Sequence, residues 1–283
     1  MVKFFRLTGS LFKTKLVKSP LRHSYEVLAG LFAALLILGG EFRMIVFSLA
    51  AVVAAYEMGK LFRAKGYNPF MAPLYVFGAL HYFAIARFGY PLMMLVWFLC
   101  VIAIAGERIF SKHRTTEDTM ASLVIMVYPL MLFAALALVI SGNVRTAGSI
   151  LGMLLVFACP LVGDTMAFFV GSFLGKHKLC PHISPKKTVE GSVGGFIGGA
   201  LGGLLCYALQ PIWGLDYQLL PMLIVGLVCG GLGQIGDLFA SVLKRWADIK
   251  DYGNLFPGHG GVMDRLDSVL MCAPIVLWYI YLV

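Results

Sequence analysis

Residues 119–141 read TMASLVIMVYPLMLFAALALVIS and contain no charged side chain. A helix of about 20 such residues crosses the roughly 30 Å hydrocarbon core of a bilayer. This stretch therefore predicts a membrane-spanning helix, and the fold class depends on how many similar stretches flank it.

Similar apolar stretches recur along the whole chain of 283 residues, of which 60% are hydrophobic and 13% are charged. Nine spans are predicted, over residues 24–40, 43–59, 69–86, 89–106, 119–141, 147–172, 193–211, 217–240 and 264–282. An ordinary soluble enzyme, a fibrous protein and a disordered chain are excluded, because so few polar residues could not cover a water-exposed surface. We expect an all-α polytopic membrane protein.

The charges between these spans predict the orientation of the chain. If the basic N-terminus is cytoplasmic and all nine helices span, every one of the 23 Lys and Arg residues except Arg43, Arg87 and Arg145 is cytoplasmic. This is the bias of the positive-inside rule, and it predicts an external C-terminus. Because the net charge of +9 is spread over short loops between apolar runs, no nucleic-acid partner is expected.

The two halves of the sequence differ in character. Residues 1–145 hold few ionisable groups within their apolar runs, so they are predicted to be a scaffold. Residues 146–283 are predicted to be the catalytic region, with cytoplasmic loops at 173–192 and 241–263. The repeated glycines of 194–203, GGFIGGALGG, predict close helix packing. The six cysteines form no CxxC pair and are predicted to be small core residues.

One candidate site begins at Asp164, which has apolar neighbours on both sides. A carboxylate in lipid costs several kcal/mol unless it is paired, so Asp164 is a functional candidate, or else pairs with a lysine at the helix end. The loop after it, GKHKLCPHISPKKTVEG at 175–191, carries four lysines that suit phosphate groups. It is either an ordered anion site or a solvated cytoplasmic loop. Its candidate substrate contacts are Lys176, Ser184, Lys187 and Thr188.

The richest stretch follows at 233–268. Asp237, Ser241 and Lys244 share one helix face, and Asp264 and Asp267 share a face of the next helix. Mg²⁺ takes oxygen ligands and usually bridges one or two carboxylates to substrate phosphates. The stretch therefore predicts a metal–phosphate site, against the alternative of separate salt bridges. Its cations are Lys244, Arg245, Lys250 and Arg265.

Within this stretch, residues 241–267 read SVLKRWADIKDYGNLFPGHGGVMDRLD. This segment resembles the signature of the phosphatidate cytidylyltransferases, also called CDP-diacylglycerol synthases. The segments DTMA at 164–167, GKHKL at 175–179, SPKKTVEG at 184–191 and GDL at 236–238 are also similar to that family. The resemblance covers about the last 120 residues, whereas the N-terminal half agrees only in being polytopic.

The resemblance implies an enzyme that joins CTP and phosphatidic acid to give CDP-diacylglycerol and pyrophosphate. It implies dependence on Mg²⁺, a second cation that is K⁺ or a second Mg²⁺, a homodimer and a cavity open to the bilayer. The expected location is the bacterial cytoplasmic (inner) membrane, with the active site facing the cytoplasm.

The resemblance also implies roles for individual residues. Asp237 and Asp264 are the first expected metal ligands, followed by Asp267. Phosphate contacts are expected from Lys187, Lys244, Arg245, Lys250 and Arg265. Ser184, Thr188 and Ser241 are expected to position substrate, and Asp164, Lys176 and Asp251 to line its site. His259 is expected to contact phosphate or orient a carboxylate, and a structural role in its glycine-rich loop is equally open.

Two other functions remain open at this point. A cation-coupled transporter or channel would use Asp164 and Asp237 as its ion path, although it gives no reason for the lysine-rich loops. A cytidylyltransferase for another lipid phosphate, or a CTP-dependent lipid kinase, would need the same phosphate and metal residues.

Overall fold

The computed structural model describes residues 40–111, 113–141, 146–255 and 260–282. These residues are mostly helical. The helices are α1 (Gly40–Ala64), α2 (Met71–Phe88), α3 (Tyr90–Phe110), α4 (Thr116–Ile125), α5 (Leu132–Ile140), α6 (Thr146–Leu174), α7 (Val189–Leu209), α8 (Leu219–Trp246) and α9 (Met263–Leu282). A π-helical turn (Met126–Met131) joins α4 to α5, and a 3₁₀ turn (Gln210–Trp213) follows α7.

Seven stretches of the described chain are helices long and apolar enough to cross a membrane. They are Glu41–Ala64, Tyr90–Phe110, Thr116–Ile140, Ser149–Leu174, Val189–Trp213, Leu219–Trp246 and Met263–Leu282. The span predicted at 69–86 corresponds to α2, which is a helix of 18 residues but is made less apolar by His81 and Arg87. The span predicted at 24–40 lies outside the described residues. The protein is a multi-pass membrane protein, and neither the count of nine spans nor the orientation is established.

The stretch at 119–141 is helical but interrupted. Its first helix begins with a capping box, in which the Thr115 hydroxyl accepts from the Asp118 N–H and the Asp118 carboxylate accepts from the Thr115 N–H. Pro129 has no N–H to continue the α-helical ladder. Tyr128, just before it, has the non-helical angles φ −128° and ψ 110°. The sequence predicted one span here, and the structure divides it into α4 and α5.

Glycines bring α6, α7 and α8 into close contact, as the sequence predicted. A Cβ added to Gly199 or Gly203 would meet the backbone of α8 at Gly226 or Met222. On the other face of α7, a Cβ on Gly198 would lie 2.7 Å from the Val162 carbonyl oxygen of α6. Because only hydrogen stands at these positions, the three backbones approach more closely than side chains would permit.

A short β-hairpin lies between α6 and α7, and it refines the expected all-α fold. Strand β1 (Lys178–Cys180) pairs antiparallel with β2 (Ser184–Thr188), with Lys178 opposite Thr188. The hairpin forms within the predicted loop at 173–192. Its backbone hydrogen bonds hold the lysines of this loop at defined positions instead of leaving them on a flexible chain.

The described parts of the connections at 65–70, 113–115, 175–188, 247–255 and 260–262 lie at one end of the bundle, which we call the loop end. Lys65 pairs with Asp248 there, and Arg114 donates to the Asn68 carbonyl oxygen. At the opposite end, Arg87 pairs with Glu41. Five of the six cysteines are buried and Cys180 is half-buried, as expected of small core residues.

Candidate functional site

A cavity of about 540 Å³ opens at the loop end between α6, the hairpin, α7 and α8. Four of the predicted site residues line it: Asp164, Lys187, Thr188 and Asp237. Lys178 and Lys186 of the hairpin line it as well. The volume lies within the range of small-molecule sites, and the lining combines carboxylates with ammonium groups. The cavity therefore suits a polyanionic ligand that arrives together with a cation.

One ion pair crosses this cavity. The Lys187 ammonium group lies 2.5 Å from the Asp237 carboxylate, and the two side chains are 24% and 38% exposed. The hairpin thus supplies the cation and α8 supplies the carboxylate. Both side chains keep part of their surface exposed, although the Lys187 nitrogen itself is buried against Asp237. Because both residues line the cavity, either can exchange this partner for a phosphate group or a metal ion that enters it.

Two further carboxylates lie close to Asp237. The charge of Asp237 acts on Asp164 of α6 and on Asp267 of α9. Asp164 is exposed to the cavity, whereas Asp267 is buried and accepts from the Ser268 N–H at 2.7 Å. Three carboxylates from three helices therefore concentrate negative charge beside Lys187.

These carboxylates fit a hard divalent cation. Within the described ranges, no group of three or more His, Cys, Asp or Glu side chains lies close enough to form a complete metal site. Mg²⁺ does not need one, because it is usually held by one or two carboxylates together with waters and substrate phosphates. Asp237, with Asp164 or Asp267 beside it, has the required oxygen chemistry, and its like-charged neighbours favour a bound cation.

Thr188 and Glu190 fix the hairpin to the start of α7. The Thr188 hydroxyl accepts from the Gly191 N–H at 3.1 Å and so caps the helix. The Glu190 carboxylate accepts from the backbone N–H groups of Lys176 and His177 and lies 2.6 Å from the His177 ring. Both residues lie within the lysine-rich segment 175–191, and their hydrogen bonds give that segment a fixed conformation.

Asp264 is enclosed by hydrogen-bond donors. Its Oδ1 accepts from the Lys244 ammonium group at 2.7 Å, and its Oδ2 accepts from the backbone N–H groups of Tyr252 and Gly261 at 2.8 and 2.9 Å. The side chains of Lys244 and Asp264 are only 14% and 4% exposed. Asp264 therefore ties the start of α9 to α8, and a metal ion at this carboxylate would share it with these donors.

Tyr252 completes this closed cluster. Its ring lies 5.4 Å from the Lys244 ammonium group, and its hydroxyl donates to the Ala240 carbonyl oxygen at 3.0 Å. Burial raises the pKa of Tyr252 well above the ordinary value of a phenol, so the hydroxyl stays protonated and acts as a donor.

The remaining predicted residues are not part of the cavity lining. Ser184 and Ser241 are half-buried, and the others are exposed at the loop end: Lys176, Arg245, Lys250, Asp251 and Arg265. His259 lies outside the described residues, as do 256–258 of the signature. The catalytic, substrate-binding and metal-binding roles of all the predicted residues stay predictions.

Three residues at this end were missed by the sequence reasoning. Gln234 donates to the Ser192 carbonyl oxygen at 3.1 Å and lines the cavity. The buried Tyr128 ring packs edge-on against Phe239, with Asp237 and Asp267 near enough for their charges to act on its hydroxyl. Glu57 of α1 accepts from two backbone N–H groups of the signature region. Glu57 carried a usable signal, since an ionisable residue within an apolar span is a functional candidate.

Comparison with known proteins identifies relatives that match a little under half of the chain. The chain is 41% identical over 128 residues to the phosphatidate cytidylyltransferase of Bacillus subtilis (strain 168), which is 44% of this chain and 46% of the relative. It is 43% identical over 131 residues to that of Synechocystis sp. (strain PCC 6803), covering 46% and 43% of the two chains. The match to the Staphylococcus aureus (strain COL) protein is 36% over 129 residues, or 44% and 46%. The matched segment is thus less than half the length of these relatives.

A protein-family model matches a larger part of the chain. The sequence model of the Cytidylyltransferase family matches residues 23–283. This range includes the helices of the N-terminal half as well as the residues that line the cavity. The match contains the hairpin lysines, the carboxylates of α6, α8 and α9, and the signature loop. This chain belongs to the Cytidylyltransferase family.

Proposed function

We propose that this protein is a phosphatidate cytidylyltransferase, which joins CTP and phosphatidic acid to give CDP-diacylglycerol and pyrophosphate. The observation that carries the proposal is the cavity at the loop end, where Asp164 and Asp237 face Lys187 and the other hairpin lysines. The printed names of the relatives support the same reaction.

The reaction requires little proton transfer by the protein. The phosphate monoester of phosphatidic acid is already anionic near neutral pH, so one of its oxygens can attack the α-phosphorus of CTP directly. The new P–O bond forms as the bond between the α-phosphorus and the bridging oxygen to the β-phosphate breaks, and pyrophosphate leaves. The protein must align the two phosphates and neutralise their charge.

The described residues can meet both needs. Lys187 lines the cavity and can transfer its charge from Asp237 to a phosphate oxygen. Lys178 and Lys186 bring further positive charge to the same cavity from the hairpin. Asp237, with Asp164 or Asp267, would hold Mg²⁺, which when bound supplies charge neutralisation at the transferring phosphoryl group. A second cation, K⁺ or Mg²⁺, is proposed from the family resemblance.

The lipid substrate is proposed to enter along α6. Phe168 lines the cavity and is 68% exposed, and Phe173 on the same helix is 81% exposed. The rings of Phe169 and Phe173 stack with centroids 6.4 Å apart. An exposed aromatic surface leading into a charged cavity suits a molecule with acyl chains and a phosphate head group.

The proposed location follows from the basic residues at the loop end. The last turns of α1 carry Lys60 and Arg63, and Lys65 follows directly after the helix. The four lysines of 175–191 and the basic residues of 244–265 lie at the same end. By the positive-inside rule this end faces the cytoplasm, where CTP is available. We propose the cytoplasmic membrane of a bacterium, because the relatives are bacterial. A homodimer is proposed from the resemblance alone.

The experiment that tests the function uses purified protein in detergent with phosphatidic acid and Mg²⁺. CTP is labelled either at the α-phosphate or at the γ-phosphate, and label in chloroform-extractable lipid is counted. We expect lipid label only from α-labelled CTP, and only when phosphatidic acid and Mg²⁺ are both present.

Three other results would contradict the proposal. Lipid label from γ-labelled CTP would indicate a lipid kinase. Label only with a different lipid phosphate would indicate another cytidylyltransferase. No label from folded protein, together with cation uptake into proteoliposomes, would favour a transporter.

A further inference from the structure

Glu57 lies in α1, within the half of the chain predicted to be a scaffold, and it is 3% exposed. Its Oε1 accepts from the Val262 N–H at 3.0 Å, and its Oε2 accepts from the Met263 N–H at 2.9 Å. These donors are 205 and 206 residues away along the chain. Both oxygens of a buried carboxyl group are therefore committed to one short backbone segment.

That segment is the N-terminus of α9. The first N–H groups of a helix have no carbonyl partner within the helix, and the helix dipole favours an acidic group beside them. Glu57 supplies the missing acceptors for Val262 and Met263 from outside the helix. It thereby fixes where α9 begins and the direction in which its first turn faces.

The signature glycines provide the space for this carboxyl group. A Cβ added to Gly253 or to Gly261 would collide with the Glu57 carboxyl oxygens. Glycine at these two positions therefore lets the loop close around Glu57 from two sides. The contact is a built recess for one carboxyl group and not a chance encounter of two helices.

The same loop is held from its other side by Asp264. The Gly261 N–H and the Tyr252 N–H both donate to Asp264, which also pairs with Lys244 of α8. Glu57 and Asp264 therefore hold adjacent backbone groups of 261–263 between α1 and α8. Asp267, one turn further along α9, brings its charge close to Asp237 in the cavity region.

Other contacts dock the end of α1 on the same region. Lys65 pairs with Asp248 at 2.5 Å, and the rings of Phe62 and Tyr67 pack against Trp246 with centroids 5.5 and 5.9 Å away. These contacts lie at the surface or rim, whereas Glu57 is the buried polar contact. It is the group whose loss would leave backbone donors without acceptors.

We propose that Glu57 is a positioning residue of the reaction: by capping α9 it holds the signature loop, and through α9 it holds Asp267 relative to Asp237. This inference rests on the proposed function for its kinetic consequence only. Glu57 does not line the cavity in which substrate is proposed to bind, so its effect is exerted through the position of α9.

The test compares Glu57→Gln with Glu41→Gln. Glu41 lies in the same helix and forms an exposed ion pair with Arg87 at the opposite end, so it controls for loss of one acidic charge from α1. Glutamine keeps the size of Glu57 but turns an NH₂ group toward one of the two N–H donors. Hydrogen exchange of peptides covering 260–265 and steady-state kinetics are measured for both variants.

For Glu57→Gln we expect exchange at Val262 and Met263 to become at least about tenfold faster. We expect kcat to fall about tenfold or more, because small misplacement of reacting groups is costly, while KM for CTP changes less than about threefold. Glu57→Asp, which keeps the carboxyl group but is one methylene shorter, should lie between the wild type and Glu57→Gln. Glu41→Gln should match the wild type in both measurements.

A second pair of variants keeps the test decisive if Glu57→Gln folds poorly. Gly253→Ala leaves Glu57 in place but pushes on its carboxyl group, and it should change exchange and kcat in the same direction. Gly106→Ala is its control, because a Cβ there meets only Phe110 at 4.0 Å.

The outcomes separate this inference from the proposed function. Loss of activity in Glu57→Gln with unchanged exchange at 260–265 would overturn the positioning role, as would unchanged exchange and unchanged kcat. If the wild type made no CDP-diacylglycerol, the proposed function would fail. Hydrogen exchange would then still decide whether Glu57 holds the start of α9.

Discussion

Two of the lysine–aspartate pairs at the loop end differ in their surroundings. Lys187 and Asp237 are 2.5 Å apart and face the cavity, with side chains 24% and 38% exposed. Lys244 and Asp264 are 2.7 Å apart and closed off, with side chains 14% and 4% exposed. Two backbone N–H groups also bind Asp264.

The same pair of residue types can therefore serve different purposes in one protein. An accessible pair contributes little to stability, because water can replace either partner, and so it is free to bind a phosphate or a cation. A buried pair is costly to break, because removing one partner leaves an unpaired charge. We therefore propose that the partly exposed pair Lys187–Asp237, the open pair, binds substrate and metal. The buried pair Lys244–Asp264, the closed pair, is proposed to fix the shape of the loop.

The largest effect on activity is expected from Asp237→Asn. Removing this carboxylate should lower kcat about 100-fold or more, because the cavity loses its accessible metal ligand. The free energy of unfolding, measured by SDS titration in mixed micelles, should change by less than about 1 kcal/mol. Asp216→Asn, an exposed aspartate at the other end of the bundle, is the control. Near-normal turnover in Asp237→Asn would show that the open pair is not the metal site.

A smaller loss of activity, with a larger loss of stability, is expected from Asp264→Asn. The buried Lys244 loses its charge partner, so the free energy of unfolding should fall by about 3 kcal/mol in the same titration. Activity should fall about tenfold because the loop is no longer held to α8. If Asp264→Asn were as stable as the wild type and fully inactive, Asp264 would be a metal ligand, as the resemblance first implied.

The smallest effect is expected from Thr188→Val, which keeps the shape of the side chain at the rim of the open pair. The variant removes the hydroxyl that caps α7, and loss of such a cap costs about 1 kcal/mol. Turnover should change less than about threefold, and Thr188→Ser should restore stability. A tenfold loss of activity without loss of stability would instead assign the hydroxyl to substrate binding.

The sequence predicted much of the open pair and little of the closed one. Asp164 was a candidate because a carboxylate in lipid is costly unless it is paired. Lys187 was a candidate because lysines suit phosphate groups, and Asp237 because carboxylates on shared helix faces suit Mg²⁺. The structure brings all three to one cavity. The enclosure of Asp264 depends on backbone N–H groups of Tyr252 and Gly261, which every residue except proline carries. Such donors leave no mark in the sequence.

The same reasoning explains which details of the fold the sequence did not predict. The span predicted at 119–141 is confirmed as a candidate membrane span, but its interruption at Tyr128 and Pro129 was not predicted. The lysine-rich loop was left open between an ordered anion site and a solvated loop, and its pairing as a hairpin depends on which residues of 178–188 face each other. Close packing of α6, α7 and α8 was predicted correctly, because glycine spacing directly reports the absence of side chains at a contact.

The sequence by itself determined that this is a multi-pass membrane protein whose C-terminal half concentrates lysines and carboxylates at the ends of its apolar stretches. Those properties depend on composition and on spacing along single helices, which are local. Only the tertiary structure decided that Asp237 is open, that Asp264 is closed and that Glu57 reaches the start of α9. Accessibility and contacts between residues 205 apart are set by how the helices pack, and no local pattern carries that information.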